Sequence, residues 1–68
     1  MELRSADELQ PGAVLRTAGV RKDGLPDRGK VTGKEDASDG ERLVITVEHR
    51  GRTYTQEADP GDLYYVEA

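Results

Sequence analysis

The sequence predicts an all-β domain: five short strands wound into a small barrel, preceded by one helical turn. Three observations carry that expectation. Leu43, Ile45 and Val47 alternate with Thr46, Glu48 and Arg50, the two-residue repeat of a strand with one face buried. Clusters of turn-forming residues separate the strand-like segments at roughly 8–12 residue intervals, the rhythm of a small barrel or sandwich. Gly29 and Gly33 interrupt one of those segments, as glycines do where a strand bends, bulges or meets another backbone closely.

The elements follow in order. Ser5-Ala6-Asp7-Glu8 has the Ser-x-x-Glu form of a helix capping box. Pro11-Gly12 follows at once and limits the helix to a turn or two, with Leu9 tucked under the sheet. A first strand is predicted over Ala13–Ala18 and a loop over Val20–Arg28, where Gly24, Pro26 and charged residues show no period. Gly29–Glu35 returns to alternation, with Lys30, Thr32 and Lys34 expected on one face. Asp36–Gly40 reads as a polar turn before the strand that begins at Leu43.

Arg50-Gly51 is placed at a hairpin reversal. A type I turn closed by a Gly51 bulge is expected, because a type I′ turn would force Arg50 to positive φ. Arg52–Ala58 pairs back as the next strand, its Thr and Tyr residues suited to a pleated surface. Asp59-Pro60-Gly61-Asp62 turns the chain again, and Leu63–Val66 closes it as a short last strand.

Size and composition bound the rest. The 68 residues are read as one domain, 1–68; a chain this short buries only about 60% of its unfolded surface. With no Cys and a single His, His49, no Cys/His zinc site can be assembled, and no cofactor is expected. Met1-Glu2-Leu3-Arg4-Ser5 lacks the basic start and apolar run of a signal peptide, and no lipidation signal is present. The longest apolar stretch, Leu43-Val44-Ile45, is far short of the ~20 residues of a membrane span. The expectation is a soluble cytoplasmic protein with no membrane partner, a monomer or weak homodimer.

The net charge of −4 is unevenly spread: residues 1–34 hold seven Arg/Lys against five Asp/Glu, and residues 35–68 hold three against nine. Non-specific attachment to phosphate backbones needs the opposite balance, although a local basic face is compatible with it.

Pro60-Gly61-Asp62-Leu63-Tyr64-Tyr65-Val66 resembles the Pro-x-x-Tyr-Val stretch that forms the 3-10 turn and final strand of SH3-type barrels. Val14-Leu15-Arg16, Gly19, Lys22, Gly24, Gly29 and Val31 are also similar to the KOW pattern of ribosomal and transcription-elongation barrels. The resemblance implies a five-stranded SH3-like small barrel with a 3-10 turn before its last strand, and it implies Val20–Arg28 as the long first loop. It also implies a groove beside that loop in which aromatic side chains dock proline-rich or methylated tails.

No constellation of residues points to catalysis. His49 stands beside a hairpin turn open to water, near Glu48 and Glu57, without the shielded orienting partner a general base needs. Gly29-Lys30-Val31-Thr32-Gly33-Lys34 is one residue short of a P-loop, Glu35 takes the place of its hydroxyl, and the segment reads as strand. Asp36, Asp39 and Glu41 lack the spacing of an EF-hand, whose twelfth position falls on Val47.

Two groups of binding candidates remain. Arg16, Arg21, Lys22, Arg28, Lys30 and Lys34 form a basic rim on and around the long loop, suited to an acidic protein partner or to phosphate. Tyr64 and Tyr65 point to opposite sides of a strand; one belongs to the core and the other is expected at the surface with Tyr54, the sequence leaving open which, and Tyr54 and Tyr65 are taken as the binding candidates. The function expected is a non-catalytic protein–protein interaction module using the 20–28 loop and neighbouring barrel surface. The alternative is an RNA- or DNA-associated barrel using the basic Arg16–Lys34 face.

Overall fold

The computed structural model describes residues 2–17 and 25–67. They form one antiparallel sheet of six strands: β1 (Glu2–Ser5), β2 (Val14–Arg16), β3 (Arg28–Asp36), β4 (Leu43–His49), β5 (Arg52–Ala58) and β6 (Leu63–Val66). Their order across the sheet is β1-β6-β2-β3-β4-β5. The only helical segment among the described residues is a 3-10 turn at Ala6–Glu8. No helix there is long and apolar enough to cross a membrane.

The inner face carries Leu15, Val31, Ile45, Val47, Ala58, Tyr64 and Val66, with Ala6 and Leu9 closing one side, all buried. The alternation of Leu43, Ile45 and Val47 holds as expected, Leu43 being half-buried against the same cluster. Gly29 also belongs inside: a Cβ there would collide with Val47 Cγ1 and crowd Pro26 Cγ. Only a residue without a side chain lets β3 cross β4 so closely.

The expected capping box is present in part. The Glu8 carboxylate accepts the Ser5 backbone N–H at 3.1 Å and its hydroxyl at 2.7 Å, bonds that hold Glu8 below the usual carboxylate pKa. The 3-10 turn then seats on the 59–62 turn, where the N–H groups of Ala6 and Asp7 donate to the carbonyls of Asp62 (2.8 Å) and Pro60 (3.2 Å).

Five expectations need correction. Glu2–Ser5 is a strand, which makes six; its single apolar residue, Leu3, gives no repeat to read, and the strand exists because β6 offers an edge to pair with. The barrel is not closed: β1 and β5 are edges of an open sheet. The sheet nonetheless curls enough for Tyr64 on β6 to donate its hydroxyl to Gln56 on β5, four places away, at 2.9 Å, a shape compatible with a small barrel-like fold. The turn before the last strand is a β-turn, closed by Asp62 N–H donating to the Asp59 carbonyl at 3.0 Å, while the 3-10 segment lies near the N-terminus.

The Arg50-Gly51 hairpin is the fourth. His49 pairs with Arg52, leaving a two-residue loop, and both Arg50 (φ 51°) and Gly51 (φ 77°) are left-handed. That is a type I′ reversal, whose twist matches the flanking strands. The continuous seven-residue register of β4 and β5 imposes it against the preference of Arg50.

The fifth concerns the faces of β3. Val31 pairs with Val47, but Gly33 pairs with Thr46, so β3 holds one extra residue at this point. A bulge of one residue reverses which side every later side chain takes. Lys30 therefore stands opposite Glu48 on the outer face, whereas Lys34 stands opposite Ile45 on the inner one. Its ammonium donates to the Asp7 carbonyl at 2.6 Å, at the 3-10 turn that closes the core.

Candidate interaction surface

Residues directly opposite one another in antiparallel strands share a face. Leu3 pairs with Tyr65, Tyr65 with Arg16, and Arg16 with Arg28, which sets these four in one row across β1, β6, β2 and β3. Tyr64 and Val66 point inward, so the row lies on the outer face. Leu63 stands two residues before Tyr65 and projects the same way. Leu3, Leu63 and Tyr65 are 47%, 52% and 42% exposed, the large apolar side chains left to solvent among the described residues.

Beside this apolar group lies a shared ion pair. The Glu67 carboxylate meets Arg16 Nη1 at 3.0 Å and Arg28 Nη2 at 2.9 Å. The two guanidinium groups hold the Glu67 carboxyl below its ordinary pKa, the hydrogen bond from Arg28 contributing most, and Glu67 raises that of Arg28 in return. An exposed pair of this kind adds little stability. What it does is fix two long side chains on the surface. One carboxylate between two guanidinium groups also leaves the pair net positive.

Next to it an open groove of about 580 Å³ is lined by Val14, Arg28, Lys30, Glu48, His49 and Arg50. Val14, Lys30 and Glu48 are successive cross-strand partners, and the β4–β5 reversal brings Arg50 to the rim. His49 is half-buried at the end of β4 rather than fully solvated.

The structure brings Arg16, Arg28, Lys30 and Tyr65 together on this surface, but not Tyr54. Tyr54 pairs with Val47 and so takes the inner face of edge strand β5, half-buried, on the other side of the sheet from Tyr65. Arg21 and Lys22 lie outside the described residues, as does most of the 20–28 loop. The described base of that loop is held by Thr17, whose N–H donates to the Asp27 carbonyl at 2.8 Å and whose hydroxyl donates to the Pro26 carbonyl at 2.5 Å.

Leu3, Leu63, Glu67, Val14 and Arg50 are surface residues that the reading of the sequence did not single out. One signal was available for Leu63. Leu63-Tyr64-Tyr65-Val66 is apolar at four successive positions, and a strand with one face in water needs only every second one.

No family model, curated protein or solved structure matches this chain.

Proposed function

We propose that this protein is a non-catalytic binding module whose partner is another protein and whose contact surface is the outer face of β1, β6 and β2. The single observation behind this reading is the exposure of Leu3, Leu63 and Tyr65 side by side on that face. Clustered large apolar side chains with a polar rim are the composition of an interface centre, with tyrosine and arginine the residue types enriched there. The exposed apolar groups have nothing to recognise in a phosphate backbone. An SH3-like architecture accords with the return of β6 beside β2, the strand that opens the five predicted ones.

Nucleic acid as partner has less support. The basic face running from Arg16 to Lys34 is divided by the bulge, which sends Lys34 to the inner side, and Glu67 neutralises part of what remains. The test is photocrosslinking in lysate of the source cells. A photoreactive phenylalanine at Leu63 is expected to yield a discrete protein adduct. The same group at Thr55, outward on β5, is expected to yield none. Equal adducts from both positions, none from Leu63, or adducts to nucleic acid alone would overturn the reading.

A further inference from the structure

We infer that the groove beside the apolar group receives carboxylate side chains, so that the partner presents an extended segment with an acidic residue four positions from an apolar one. This rests on the protein-binding reading above and specifies the chemistry of the partner.

Charge is the first argument. Among the described residues of the row and the groove lining, four cations, Arg16, Arg28, Lys30 and Arg50, stand with two carboxylates, Glu67 and Glu48. This surface is thus locally positive in a chain whose net charge is −4. An acidic partner is attracted to this region and repelled by the rest, which orients it before contact.

Continuity is the second. The row Leu3-Tyr65-Arg16-Arg28 leads from the apolar group directly to the groove wall, and Val14, which also lines the groove, carries the bond from Glu67 N–H to its carbonyl at 2.9 Å. A ligand on the apolar group therefore meets the cations without leaving the face.

Spacing is the third. From β6 to β3 is two strand separations, about 10 Å, and from the Arg28 row to Lys30 is two residues, about 7 Å, so Tyr65 and Lys30 are roughly 12 Å apart. An extended peptide advances about 3.3 Å per residue and turns alternate side chains the same way. Positions i and i+4, about 13 Å apart, match both conditions. Positions i+3 and i+5 would face away.

The experiment is selection from a random peptide display library against the full chain, repeated with Lys30→Glu/Arg50→Glu and with Tyr65→Ala. Each variant is first checked for an unchanged circular dichroism spectrum, with Lys30→Gln/Arg50→Gln replacing the double reversal if that fails to fold. Selected peptides are expected to carry Asp or Glu four residues from an apolar side chain and to bind the charge-reversed chain at least about tenfold more weakly. Peptides that depend on Tyr65 but show no acidic enrichment, or bind the reversed chain equally, overturn this inference and leave the protein-binding reading intact. Peptides indifferent to Tyr65 overturn both.

Two further arms address the other occupants. A single-stranded RNA that competes with the peptides and is lost steeply as salt rises would assign the groove to phosphate instead. A concentration-dependent dimer in sedimentation that Tyr65→Ala dissolves would assign the face to a second copy of the chain. Either result overturns the acidic-segment proposal.

Discussion

The β3–β5 meander and the β1–β6–β2 junction are built from the same antiparallel pairing, yet they spend their apolar residues differently. In the meander, β4 and β5 run seven residues in unbroken register; Leu43, Ile45 and Val47 sit on the core side, and Val44, opposite Glu57, is the one apolar side chain of β4 turned outward, half-buried. Outward positions there are polar or acidic for the most part: Thr46, Glu48, Thr53, Thr55 and Glu57. In the junction, β2 and β6 are three and four residues long, drawn from the two ends of the chain, and apolar side chains appear on both faces. A strand of four residues that buries Tyr64 and Val66 has no structural need to show Leu63 and Tyr65 to water. The meander turns its large apolar residues mostly to the core, and the junction leaves Leu3, Leu63 and Tyr65 in water.

That contrast is open to attack, and the sharpest blow falls on the meander. Ile45→Ala deletes a fully buried side chain at the centre of the core. The expected loss is about 2–5 kcal/mol, enough to leave a domain of this size largely unfolded; a urea titration followed by circular dichroism reads it. Gly29→Ala comes next. The added methyl meets Val47 Cγ1 with no room to withdraw, and overpacking of this kind costs about 1–3 kcal/mol.

The hairpin offers a change of opposite sign. Arg50→Asn places at φ 51° a residue that tolerates the left-handed region and precedes Gly51 in the preferred type I′ pair. A gain of about 0.5–1 kcal/mol is expected, since a side chain there costs roughly 1–2 kcal/mol. A loss of stability would show that the reversal is not type I′.

In the junction the expected effects on stability are small. Tyr65→Thr or Leu63→Thr removes exposed apolar surface and should shift stability by no more than about 0.5 kcal/mol, while abolishing the proposed protein adduct formed from this face. A loss comparable to that of Ile45→Ala would mean that these side chains are core after all, and the contrast between the two regions would collapse.

The smallest effect is on pH dependence. Glu67 titrates below its ordinary value of 4.5 because Arg28 and Arg16 face its carboxylate. A carboxyl whose folded-state pKa is depressed contributes stability that is present above the unfolded value and lost as pH falls through the folded one. The contribution should therefore disappear below about pH 4.5, and Glu67→Gln should flatten that part of the acid limb in urea titrations repeated at falling pH. An unchanged slope would show that solvent screens the pair completely.

Much of the meander was legible in the chain itself because its information is local. Alternation at Leu43, Ile45 and Val47 names the buried face, Asp36–Gly40 and Arg50-Gly51 name the reversals, and Gly29 marks a close crossing. Ser5-x-x-Glu8 and Leu9 likewise announced the turn that covers the core. Each of these signals lies within a few residues of the structure it specifies.

Long-range pairing settled the remainder. Glu2–Ser5 becomes a strand only because β6 returns beside it, and Arg50 takes a strained conformation only because β4 and β5 hold their register. One extra residue between Val31 and Gly33 moves Lys34 to the far side of the sheet from Lys30; Gly33 signalled a bend, a bulge or a close approach in this strand, and only the pairing with β4 decides that it is a bulge. Leu3, Tyr65, Arg16, Arg28 and Glu67 come from both ends and the middle of the chain. Their meeting depends on which strand edges close against which, a choice governed by the burial of the whole core rather than by any segment within it.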